Sequence, residues 1–162
     1  IEPLNSGNPC VISKDYGQNI EDFDENGLLK DYKSFKCNDW MGSTWPPFIV
    51  STQIWDLVGG FSLEFSPGFY SDPDLSCKLV KAGVNRFIGL GNSLVYHFGS
   101  KSTKRLVQQN GRNQFINKWG FSAGEFMEKV LHIGDPFKGQ QIGDIHLEKK
   151  WKNKLKRFKS NW

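Results

Sequence analysis

Two carboxylates stand two residues apart around a proline in Ser71-Asp72-Pro73-Asp74-Leu75. Proline fixes its own backbone and lacks an N–H that the first turn of a helix leaves unpaired anyway, so it stiffens a loop-to-helix junction without losing a hydrogen bond. A carboxylate held on such a junction is placed to take a proton from a bound hydroxyl. The same residue types also serve structure. Asp72 as an N-cap is worth about 0.5–2 kcal/mol, and Asp74 in the first turn complements the helix dipole. The two roles pull the proton affinity of Asp72 in opposite directions: a helix N-terminus favours the ionised form, whereas a base needs burial to raise its pKa.

The elements around this pair are marked by caps and breakers. Asp72-Pro73 predicts an N-cap followed by Pro at the first helical position. Leu75, Leu79 and Val80 then form an apolar face, with Cys77 as a small buried hydrophobe, and Ala82-Gly83 is the stop. Ser51 predicts the N-cap of a helix through Val58, ended by Gly59-Gly60. Residues 9–14 and 48–50 read as short strands, and 86–98 as two strands about a glycine-marked turn. Helices are expected over 103–119 and 122–132, the second broken by Gly134-Asp135-Pro136, with a weak helical pattern over 27–35. Short strands between helices predict an α/β fold with a mixed sheet and flanking helices.

Composition narrows the class. The chain has 162 residues, 38% hydrophobic and 23% charged, ordinary for a globular protein and enough for one real core. No apolar run approaches the roughly 18 residues of a membrane span, and Ile1-Glu2-Pro3 opens no signal peptide. Without an initiator Met, position 1 reads as a processing boundary or a cut within a longer protein. Cys10, Cys37 and Cys77 are odd in number and widely spaced, which supports neither a disulfide framework nor a zinc site and makes a cytoplasmic location the default. The net charge of +4 is concentrated at one end: residues 148–162 carry seven Lys and Arg against Glu148, leaving the body at −2. A basic tail alone gives no argument for nucleic acid as a partner.

The order of motifs is more specific than any one of them. A tryptophan-rich run from Trp40 through Trp45 to Val50 is followed by Trp55-Asp56-Leu57-Val58-Gly59-Gly60-Phe61, then Ser71-Asp72-Pro73-Asp74-Leu75-Ser76-Cys77-Lys78-Leu79, then Val95-Tyr96-His97-Phe98. Over about residues 38–105 this order resembles the acceptor-side half of family 2 glycosyltransferases of the GT-A (Rossmann-like) fold. The resemblance implies inverting transfer of a sugar from a nucleotide-diphosphate sugar to an acceptor hydroxyl, with Asp72 as general base. The family's usual Glu-Asp is Ser71-Asp72 here, and Asp74 matches its second Asp, read as support for the loop and as part of the acceptor site. His97 matches a position that in some GT-A enzymes meets the divalent metal, Mg²⁺ or Mn²⁺, or the diphosphate; a lone histidine at a strand end is as readily structural. Lys101, Lys104 and Arg105 are placed by the same comparison near phosphate. Trp40, Trp45 and Trp55 are candidates for a sugar-binding wall, at least one of them being core, and Gly59-Gly60 for a close backbone approach to a sugar.

The donor side is the part the chain does not show. A βαβ unit takes about 30 residues or more, the family uses more than one, and only 71 residues precede Asp72. Asp22-Phe23-Asp24 is a literal Asp-x-Asp, but it lies in a polar run and not after an apolar strand, so it is rejected as the metal motif. Two segments follow: residues 1–135 as the acceptor-side part of a GT-A domain, and 136–162 as a basic amphipathic tail. In the tail Trp151, Leu155, Phe158 and Trp162 fall at i, i+4, i+7 and i+11. That stripe suits either an anionic membrane surface or docking on the chain's own body. A non-catalytic saccharide-binding or scaffold role is the alternative to catalysis.

Overall fold

The computed structural model describes residues 1–99 and 110–147. In chain order the elements are α1 (Glu25–Asp31) with a 3₁₀ turn at Tyr32–Phe35, strand β1 (Trp40–Met41), α2 (Thr52–Val58), a 3₁₀ turn at Leu63–Phe65, α3 (Ser71–Lys81), strand β2 (Ile88–Gly89), α4 (Gly111–Trp119) and α5 (Ala123–Lys129). The architecture combines helix and strand, with helices dominant. The sheet among the described residues is one antiparallel pair, Trp40 opposite Gly89 and Met41 opposite Ile88, instead of the mixed sheet expected.

Helix ends follow local chemistry. Ser51 caps α2 by accepting from the amide of Ile54, and Gly59 closes it in the left-handed region at φ 70°. Ser122 and Glu125 form a reciprocal capping box at the start of α5, and Asn110 caps α4. The start of α3 departs from expectation. Its N-cap is Tyr70, at φ 69°, so Asp72 and Pro73 are the second and third helical residues and Asp72 caps nothing. The turn before the helix brings this about: both the amide and the hydroxyl of Ser71 donate to the carbonyl of Gly68. Pro73 remains harmless one turn in, because its N–H would still be among those the helix leaves unpaired.

Strand expectations fared worse. Residues 9–14 make a single bridge, Ser13 to Glu2. Residues 48–50 join no ladder, and Ile49 is 97% exposed. Of the two strands expected over 86–98 only Ile88–Gly89 forms. Residues 95 and 97 bond instead to the chain start, Ile1 donating to the Val95 carbonyl at 2.8 Å and His97 to the Ile1 carbonyl at 2.9 Å. A strand exists only where a neighbour offers a matching ladder, and these segments face helices and loops.

The core gathers on α3. Leu75, Cys77, Leu79 and Val80 pack with Met41, Phe65, Phe87, Phe115, Phe126 and Leu131. Each large buried side chain contributes about 1.5–3 kcal/mol by leaving water. Cys77 is fully buried, as expected, and burial pushes its thiol far up. Residues 136–147 pack on this body through buried Ile142 and half-buried Ile145 and Leu147.

Candidate functional site

The first turn of α3 carries the two carboxylates into different surroundings. Asp74 is completely buried. One oxygen accepts from Ser62 Oγ at 2.6 Å; the other accepts from Trp119 Nε1 at 2.8 Å and faces Lys118 Nζ at 2.8 Å. Lys118 also reaches Glu64 at 2.7 Å and Ser62 at 3.0 Å. Burial alone lowers its proton affinity, but the bonds to Asp74 and Glu64 outweigh that and hold the ammonium above its ordinary range. A buried ion needs this saturation, since an unpaired one costs several kcal/mol. Asp74 therefore clamps α3 to α4 and to the 62–65 turn. It has no free face for a sugar, so the substrate contact expected of it is corrected. Ser71, nearly buried and bonded to Gly68, is likewise part of the turn and not of an acceptor site.

Asp72 is half-buried on the same turn. Burial pushes its carboxyl up from 3.8 to about 6, against the neighbouring Ser71 hydroxyl, which pulls it down. Desolvation is the larger of the two causes, so this carboxyl holds its proton more tightly than an ordinary aspartate. Its backbone is held from across the chain: Thr44 Oγ1 donates to the Asp72 carbonyl at 2.7 Å and lies 2.9 Å from Ser76 Oγ, while the Thr44 amide donates to Ser76 Oγ at 3.3 Å. These bonds lay the tryptophan-rich segment against the start of α3, next to half-buried Trp45.

The other aromatic candidates have structural tasks. The Trp40 ring lies over the backbone of Gly89 within the strand pair. Trp55 packs with Phe48 and Phe61, at centroid distances of 6.4 and 5.4 Å. A Cβ on Gly60 would come within 2.6 Å of the Trp55 ring, and the residue sits at φ 58°, so its glycine admits the chain's own tryptophan where a sugar was expected. Lys78 donates to the Gly60 carbonyl, which ties this loop to α3. Gly59 is explained by its C-cap conformation.

His97 stands in another neighbourhood. Its exposed imidazole lies 2.8 Å from Glu2, and Tyr96 beside it stacks on Phe23. No three His, Cys, Asp or Glu side chains among the described residues converge on a common point. A hard divalent cation wants several oxygen ligands, and among the described residues the polar side-chain partner of His97 is Glu2, a contact that ties it to the chain start. Asp24 caps α1 and Asp22 accepts the amides of Gln18 and Asn19, consistent with rejecting that Asp-x-Asp. Lys101, Lys104 and Arg105 lie outside the described residues, as does 148–162.

Two cavities occur away from Asp72. One of about 250 Å³ lies between Ile1, Leu28, Tyr32 and Val95; another of about 310 Å³ is lined by His132, Ile142 and His146. Sequence reasoning missed the partners of the acidic pair, Thr44, Ser62, Lys118 and Trp119, because no motif links residues so far apart in the chain. No helix of the described residues is long and apolar enough to cross a membrane. No family model matches the chain, and neither a curated protein nor a solved structure matches it significantly.

Proposed function

We propose that this chain supplies the acceptor side and the general base of an inverting glycosyltransferase. The observation that carries the reading is Asp72: a carboxylate with a pKa of about 6, half-buried at the start of an eleven-residue helix and braced by Thr44 beside Trp45. A base with that affinity is largely ionised at neutral pH yet retains a strong pull on a proton. In the reaction the acceptor hydroxyl gives its proton to Asp72 as its oxygen bonds to the anomeric carbon. The bond from that carbon to the nucleoside diphosphate breaks, and the diphosphate leaves with the electron pair. Such a base is worth about 10²–10⁴-fold, with positioning of the two substrates contributing as much or more.

Asp72→Asn keeps the shape and removes the base. In the protein joined to its nucleotide-binding partner region, transfer is expected to fall by about 10²–10⁴-fold while donor binding, read by calorimetry, is unchanged. Full turnover in that variant removes Asp72 from the base role.

A non-catalytic saccharide-binding role is favoured by one specific observation. Residues 1–70 fold into short helices and a two-residue strand, with no βαβ unit to hold a nucleotide. On that reading the chain binds glycans, and adding nucleotide sugars with Mn²⁺ yields no product; any product refutes it.

A further inference from the structure

Three thiols are free, and the fold treats them unequally. Cys77 is sealed inside the core, whereas Cys37 is exposed and Cys10 half-buried. Cys10 and Cys37 stand 27 positions apart, a spacing that carries no pairing signal. The strand pair brings them together. Trp40, opposite Gly89, lays its indole over that glycine. The Cys37 carbonyl packs against Gly91, and the Cys37 amide donates to the Gly91 carbonyl at 3.1 Å. Residues two apart are at most about 7 Å from each other along the chain, so the indole and Cys37 are neighbours over 89–91. Cys10 reaches the same indole, whose N–H donates to its sulfur. Its turn packs on Gly134, where an added Cβ would meet Pro9 at 3.2 Å and the Cys10 sulfur at 3.9 Å; the Gly134 amide in turn donates to the Met41 carbonyl at 2.9 Å. Burial raises the proton affinity of the Cys10 thiol, the Trp40 N–H lowers it, and a charge on Cys37 is close enough to raise it again.

We infer that Cys10 and Cys37 form a reversible intrachain disulfide, a thiol switch that ties the turn at residues 8–11 to the approach of β1, with glutathione disulfide as the class of oxidant. The exposed Cys37 thiolate attacks one sulfur of the oxidant. A Cys37–glutathione bond forms as the oxidant's own S–S bond breaks, and one glutathione thiolate leaves. The Cys10 thiol then gives its proton to water, and its sulfur attacks Cys37. The second glutathione leaves as the Cys10–Cys37 bond closes. The chain gives up two electrons and two protons, and the oxidant becomes two glutathione thiols. The order follows from access: Cys37 meets solvent, whereas Cys10 is partly covered and holds its proton more tightly. Closure encloses α1 and the 3₁₀ turn after it in one covalent loop. This inference is independent of sugar transfer, because its readout is a covalent link and not turnover.

The test is peptide mapping by mass spectrometry on the full chain, equilibrated with mixtures of oxidised and reduced glutathione and quenched by alkylation. A Cys10–Cys37 link is expected as the main product, lost on adding dithiothreitol, with Cys77 alkylated only after unfolding. In Cys10→Ser, Cys37 is expected to stop at the glutathione adduct. The link is expected to form at least about tenfold more favourably in the folded chain than in urea, because the fold sets the effective concentration of the two thiols. Glutathione adducts on both thiols without a link overturn the inference, as does a link equally favourable in urea. A link whose yield rises with protein concentration joins two chains and also overturns it. A main product that contains Cys77 has the same consequence.

Discussion

The two sides of the first turn of α3 differ in one respect that explains both. On the inner side Asp74 meets Ser62, Trp119 and Lys118, and its charge is fully answered. On the outer side Asp72 loses water with no ion pair among the described residues: its backbone is held by Thr44, and burial dominates its carboxyl. Two identical side chains two residues apart thus become a clamp and a carboxyl of raised proton affinity, because one is saturated with partners and in the other desolvation outweighs the Ser71 hydroxyl. The Asp74 network also fixes the turn that carries Asp72, which is the positional constraint the proposed base role requires.

The largest effect expected from breaking this contrast is on the clamp. Asp74→Ala takes the acceptor from the Trp119 N–H and the Ser62 hydroxyl and leaves Lys118 to Glu64, and is expected to cost about 3–5 kcal/mol of stability in denaturant unfolding, as removal of one partner from a buried pair does. A loss below 1 kcal/mol makes the network incidental. Thr44→Val keeps the shape but removes the hydroxyl that holds the Asp72 carbonyl and Ser76. About 1–3 kcal/mol is expected, with α2, capped by its own Ser51, left folded; amide exchange within α2 checks that the damage stays local.

The smallest effect sharpens the contrast most. The pKa of Asp72 is higher folded, about 6, than the ordinary 3.8, so folding favours its protonated form. That contribution is fully present below pH 3.8 and is lost as pH rises through 6. Asp72→Asn does not titrate. It is expected to be more stable than the parent by about 1 kcal/mol at pH 7–8, after allowing for the partial exposure of the group, and by nothing at pH 3.5. Equal stability of the two proteins across this range refutes the desolvated carboxylate.

Much of the helical framework was legible because helix ends are local chemistry. Ser51 and Gly59 each act within four residues, and each performs as its type and spacing predict. The α3 face of Leu75, Leu79 and Val80 was legible for the same reason, periodicity being a property of one segment. The strands were not. The run Phe48, Ile49, Val50 has strand composition but meets no ladder, and residues 94–98 bond to the chain start. The site was half legible: Asp72 and Asp74 stood out as a pair, yet which one would be saturated depended on Lys118 and Trp119, more than forty residues away.

By itself, then, the order of residues determined where α2 begins and ends and where α3 stops, that Cys77 would be interior, and that charge would gather in residues 148–162, since each follows from residues within a few positions. The tertiary structure alone decided that Asp74 is the clamp and Asp72 the desolvated acid, that Gly60 receives Trp55, and that His97 pairs with Glu2. Burial and ion pairing depend on which distant segments arrive beside a residue, and that is settled only when the whole chain has packed.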